Sequence, residues 1–144
     1  MGRNVEIKAR LPADRVRAVR ELALERSTSP PESLRQTDTF YNVPTAWCPV
    51  PDPRSLSEAL GRSLGVRGVV EKQREVIMVG RTRVHLDEVA GLGTFLELEV
   101  QLAEGQSAEE GEAVAAELMA HFGVGRGCLV EGAYIDAIEA KSGE

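Results

Sequence analysis

Cysteine is scarce in this sequence: among 144 residues only Cys48 and Cys128 are present. They can form at most one bridge, and no secretory leader precedes them, so free thiols in a reducing, cytoplasmic setting are expected. Aromatic residues are scarce too, at 4%. No apolar run approaches the roughly 20 residues that span a bilayer, and Met1-Gly2-Arg3-Asn4-Val5-Glu6 lacks the Ser or Thr of an N-myristoylation signal, so no membrane partner is expected. A net positive charge is also lacking. The formal charge of −6 argues against a general nucleic-acid polymer as partner, because phosphate-backbone affinity needs a basic footprint. His85 has no neighbouring Cys or His, which disfavours a zinc site. The run Gly123-Val-Gly-Arg-Gly127 follows a helix rather than a strand, which excludes a dinucleotide fingerprint. Internal repeats and low-complexity segments are missing as well. What remains, with 42% apolar residues, fits one globular domain over 1–144 with a core of its own.

The alternation of residue types carries most of the information. Val69–Val79, Thr82–Val89 and Thr94–Leu102 are predicted strands. In the last, Leu96, Leu98, Val100 and Leu102 oppose Glu97, Glu99 and Gln101. In the second, Val84 and Leu86 oppose Arg83, His85 and Asp87. The first places Lys72 and Arg74 on one face, although Glu71, Gln73 and Glu75 beside them weaken the alternation. Arg3–Leu11 alternates strictly, with Val5, Ile7, Ala9 and Leu11 against Asn4, Glu6, Lys8 and Arg10. Gln36–Val43 is a fifth strand on the β-propensity of Phe40, Tyr41 and Val43, preceded by a loop over Ser27–Ser33.

Helices are predicted between these strands. Pro12 opens one to about Arg26, whose Val16, Val19, Leu22 and Ala23 should pack on the apolar side of the sheet. Pro44, Pro49, Pro51 and Pro53 fall within ten residues, a density no strand interior tolerates. Asp52-Pro53 then starts a helix carrying Leu56, Ala59, Leu60 and Leu64, ended by Gly65. Ser107 and Glu110 form a capping box for a helix to about Phe122, and Gly132–Ala140 reads as a short final helix in which Tyr134 is a core or rim residue.

Pooled, the polar faces hold Glu6, Lys8, Arg10, Lys72, Arg74, Arg83, His85, Asp87, Glu97 and Glu99. If the strands curl into a barrel with helices outside, these residues line its interior. Arg would then hold phosphate oxygens in bidentate fashion, Lys would act as a point charge, and carboxylates would take a hard divalent cation. An antiparallel sheet with one solvated face shows the same alternation, and the pattern alone leaves both readings open.

Several segments are familiar in order and spacing. They are Asn4-Val-Glu-Ile-Lys8-Ala-Arg-Leu, Asp38-Thr-Phe-Tyr, Gly65-Val-Arg-Gly-Val-Val-Glu-Lys72, Arg83-Val-His-Leu-Asp87, Gly91-Leu-Gly-Thr-Phe-Leu-Glu-Leu-Glu99 and Glu131-Gly-Ala-Tyr-Ile-Asp136. Together they resemble the CYTH family, the triphosphate tunnel metalloenzymes that include class IV adenylyl cyclases and thiamine triphosphatases. The resemblance implies an α+β fold built on an antiparallel β-barrel or tunnel, incomplete here because only about five strands are found. It implies Glu6, Asp87, Glu97 and Glu99 as ligands of Mg2+ or Mn2+. Lys8, Arg10, Lys72, Arg74 and Arg83 would bind a triphosphate substrate, with Lys8 also helping to activate the nucleophile. The implied activity is hydrolysis or adenylyl cyclisation, by a monomer or homodimer; a non-catalytic polyphosphate- or nucleotide-binding or interaction protein derived from the fold is the alternative. Two departures stand out: Asn4 replaces the family's first Glu, and the strands expected between about 44 and 53, including a Leu-Lys-Leu-Arg type segment, are lacking.

Overall fold

A computed structural model describes residues 2–42 and 51–143. Five strands, β1 (Asn4–Arg10), β2 (Glu32–Tyr41), β3 (Val66–Val79), β4 (Thr82–Val89) and β5 (Gly93–Gln101), alternate with helices α1 (Val16–Glu25), α2 (Pro53–Leu64), α3 (Ala108–His121) and α4 (Tyr134–Ser142). All strand pairs are antiparallel, in the order β1-β5-β4-β3-β2. The described strands therefore form one open sheet with β1 and β2 at its edges, an α+β arrangement.

Period-2 geometry sends each strand's apolar set to one side. Ile7 pairs with Leu98 and Leu98 with Val84, so that face is continuous across β1, β5 and β4. Val19, Ala23, Leu118, Met119 and Phe122 of α1, α3 and the residue ending α3 close over it and complete the core. Gly111 lets α3 approach closely: a Cβ there would stand 2.5 Å from Leu102 and 2.9 Å from Val5. The Ser107 hydroxyl accepts from the Glu110 amide, and the Glu110 carboxylate accepts from the Ser107 amide, so the predicted capping box is formed. The β3–β4 hairpin turns at Gly80-Arg81, with Gly80 at φ +60°, a conformation that favours glycine.

Three expectations need adjustment. β2 starts at Glu32, so the loop predicted over Ser27–Ser33 ends two residues early. The polar run Glu32-Ser33-Leu34-Arg35 has weak strand propensity, but its pairing with Gln73–Val76 of β3 overrides it. The helix expected from Pro12 begins as a 3-10 turn at Ala13–Arg15 and becomes α-helical only at Val16. The last helix starts at Tyr134 rather than Gly132, whose φ of +87° lies outside helical space. Cys48, Pro44, Pro49, the end of the fifth predicted strand at Val43 and most of the 44–53 stretch lie outside the described residues.

Candidate functional site

The opposite face of the sheet gathers the charges. Cross-strand register sets Glu6 beside Glu99 and Glu99 beside Arg83; Lys8 beside Glu97 and Glu97 beside His85; and Asp87 beside Arg74. Lys72 lies two residues from Arg74 on β3. All nine predicted site residues thus share one surface, because five strands in fixed register repeat the same alternation.

At its centre, Arg74 donates through Nε and Nη2 to both oxygens of Asp87, at 2.7 and 2.6 Å. The Asp87 side chain is 0% exposed. Its carboxylate also accepts from the Tyr134 hydroxyl at 2.8 Å. Burial alone would push Asp87 up, but the guanidinium and phenol outweigh it and hold the carboxyl below its ordinary value. Burial likewise opposes the charge of Arg74, yet its partners Asp87 and Glu97 keep it raised. The Tyr134 phenol is raised by burial and by the facing carboxylate. Glu97 lies 3.3 Å from Arg74 Nη2, and burial still raises it, because Arg74 and Lys8 compensate only in part. His85 is buried, and its Nδ1, 3.9 Å from Glu97, has no hydrogen-bond partner; burial, then Arg74, lowers its value to about 4. It is therefore neutral near pH 7.

The other cations are held more loosely. Lys72 pairs with Asp38 at 3.3 Å, and Arg83 stands 3.8 Å from Glu99. Lys8 donates to the Gly132 carbonyl at 3.1 Å, and Arg10 donates to the Leu92 carbonyl at 3.3 Å while packing over Phe95. Asn4 donates to Glu99 at 3.3 Å, so its amide supplies a hydrogen-bond donor to the face and no charge. α4 closes one end of the face: Tyr134 and Ile135 pack with Val70, Val89 and Phe95, and Gly68 leaves room for Ile135 where any Cβ would collide with it.

Comparison with known proteins adds the family. A CYTH domain model matches residues 45–134. The chain belongs to the CYTH family. Its fold is similar to that of PH1012 from Pyrococcus horikoshii OT3, at 19% identity and TM-score 0.75, covering 93% of this chain and 98% of that one. PH1819 from the same organism superposes with TM-score 0.76 at 18% identity, over 96% and 99% of the two chains. A candidate adenylate cyclase from Vibrio parahaemolyticus gives TM-score 0.70 at 16% identity, over 94% and 97%. No curated protein matches the sequence. CYTH proteins are generally metal-dependent, and the family supports triphosphate-related binding or catalysis.

The expected metal ligands of this CYTH chain divide into two groups. Glu6, Glu97 and Glu99 sit at adjacent register positions and offer oxygen donors of the type a hard divalent cation takes. Asp87 fits poorly, since Arg74 and Tyr134 already occupy both its oxygens. Among the described residues, no three acidic, His or Cys side chains are gathered closely enough to enclose an ion. Asp87 and Glu97 turn instead to Arg74, and Glu99 stands near Arg83, as charges withdrawn from water must without other partners.

Two participants were not anticipated as site residues. Tyr134 reaches Asp87 from α4, and Asp38 pairs with Lys72 from β2. The sequence signal for the first was Gly68, a glycine inside a strand, which marks a close approach by another element.

Proposed function

We propose that the charged face of this CYTH domain binds a triphosphate-containing small molecule together with Mg2+ or Mn2+ and promotes its hydrolysis or adenylyl cyclisation. One observation carries the reading: five cations and four carboxylates occupy a single face of the sheet in mutual register, opposite a face packed with apolar side chains. A solvated surface has no need of Arg74 and Asp87 buried in a bidentate pair.

On this reading Arg10, Lys72, Arg74 and Arg83 bind phosphate oxygens, Arg10 and Arg83 in bidentate fashion, Lys72 as a point charge, and Arg74 through the edge of its guanidinium that Asp87 and Glu97 leave free. Lys8 grips phosphate and helps activate the attacking water or hydroxyl. Glu6, Glu97 and Glu99 would hold the cation, which neutralises phosphate charge when bound. Positioning and electrostatics supply most of the acceleration. The His85 side chain presents a neutral imidazole to the face and adds no charge to it at neutral pH. The same reading takes 1–144 as a single domain lacking the family's strands between about 44 and 53, acting in the cytoplasm as a monomer or homodimer; no helix among the described residues is long and apolar enough to cross a membrane.

The test is a product assay with ATP, thiamine triphosphate and tripolyphosphate, with and without Mn2+. Orthophosphate release identifies hydrolysis, and pyrophosphate release with cyclic AMP identifies cyclisation. Binding without either product favours a non-catalytic polyphosphate or nucleotide binder. That second reading has its own support in the engagement of Asp87 by Arg74 and Tyr134 and in the lack of a gathered carboxylate cluster among the described residues.

A further inference from the structure

Lys8 on β1 and Lys72 on β3 are separated by β5 and β4 in the sheet, a span of three strand spacings or roughly 14 Å. Both are long, flexible cations, and nothing in the sheet itself would bring their ammonium groups to a common place. One side chain does. The Tyr134 ring lies 4.0 Å from Lys8 Nζ and 5.4 Å from Lys72 Nζ, within the range in which a ring quadrupole attracts a cation. The same residue's hydroxyl donates to Asp87 at 2.8 Å, and Asp87 holds the Arg74 guanidinium by two bonds.

We infer that Tyr134 is a positioning residue that assembles the phosphate-gripping cations, its ring collecting Lys8 and Lys72 and its hydroxyl fixing Arg74 through Asp87. The inference rests on the polyanion reading given above and adds a residue and a division of labour to it. The ring is itself well fixed. Phe95 packs against it with centroids 4.9 Å apart, and Ile135, next in sequence, lies against Gly68. Arg67 clamps α4 onto β3 through Asp136 at 2.8 Å and Glu139 at 2.6 Å. A tyrosine that only filled space would have no reason to touch three ionisable side chains of the face. Preorganising flexible lysines lowers the ordering cost of binding, so the benefit appears as affinity.

The experiment is calorimetric titration of the full chain with tripolyphosphate in the wild type, Tyr134→Phe, Tyr134→Leu and Lys8→Ala, and in the double variant Tyr134→Leu with Lys8→Ala. Tyr134→Leu should weaken binding about tenfold, and Tyr134→Phe, which keeps the ring, should recover most of that loss. In the Lys8→Ala background the cost of Tyr134→Leu should fall by more than half, because the two act as a unit. An NMR readout accompanies it: ring-current shifts of the Lys8 ε protons, present in the wild type and in Tyr134→Phe and lost in Tyr134→Leu. Binding that is unaffected by Tyr134→Leu, or that weakens equally with and without Lys8, overturns this inference and leaves the polyanion reading standing. A wild-type protein that does not bind tripolyphosphate overturns both.

Discussion

The two faces of the sheet come from the same alternation but are stabilised in opposite ways. The covered face is generic: Val84, Leu96 and Leu98 are 0% exposed, and any apolar set of similar volume and shape would serve. The charged face is specific, because each buried ion there depends on a particular partner, Asp87 on Arg74 and Tyr134, and Glu97 on Arg74. A buried charge pair is weak evidence of stability and better evidence of use. The comparison teaches that the burial-driven side of this domain holds the fold, while the charged side is retained at some energetic disadvantage and so points to binding.

The sharpest way to break the comparison is to orphan the central ion. Arg74→Leu leaves the Asp87 carboxylate without its guanidinium and should cost roughly 3–5 kcal/mol by chemical denaturation. A cost within 1 kcal/mol would show that the pair is not desolvated. Leu98→Ala on the covered face should cost about 3 kcal/mol through lost transfer energy and a cavity, while leaving polyanion affinity per folded molecule unchanged.

Acid should separate the groups by sign. His85 is depressed to about 4 from 6.5, so the unfolded chain takes up the proton first, and the stability associated with neutral His85 is full above pH 6.5 and lost as the pH falls towards 4. Asp87, also depressed, adds a further loss below the ordinary aspartate range. Glu97 is raised, so its contribution runs the other way, favouring the fold at low pH and lost as the pH rises through its elevated value. The His85 contribution should therefore raise denaturation midpoints between pH 4 and 6.5, read as the difference between the wild type and His85→Gln, whose midpoints should climb less steeply over that range. Glu97→Gln should leave stability at pH 7 unchanged or slightly higher while weakening the metal dependence of binding; a clearly destabilised variant would contradict the raised carboxyl. The smallest effect is expected at the exposed Arg17–Glu21 pair, where Arg17→Ala should cost no more than about 0.5 kcal/mol.

Much of the fold was legible because period 2 is a strong local signal. β4 matches its predicted Thr82–Val89 limits, and the apolar stripe of α1 packs as its spacing implied. The start of β2 was not legible, since Glu32 and Ser33 carry no strand signal and are fixed by a partner some 40 residues away. The common placement of the site residues was legible for the same reason as the strands. Which carboxylate meets which cation was not: alternation says that Asp87 faces the charged side, but not that Arg74 and Tyr134 would claim both its oxygens. Tyr134 itself comes from a helix 47 residues beyond Asp87, and only the interrupting Gly68 hints that something packs there.

The most direct test of the central claim, that the charged face is a polyanion site and not a solvated surface, is thermal melting with and without tripolyphosphate and Mg2+ or Mn2+. The account predicts a metal-enhanced rise of about 5–10 °C at a ligand concentration near 100 times Kd, reduced in Lys72→Ala. A cooperatively melting sample with no shift under any of these conditions would contradict it.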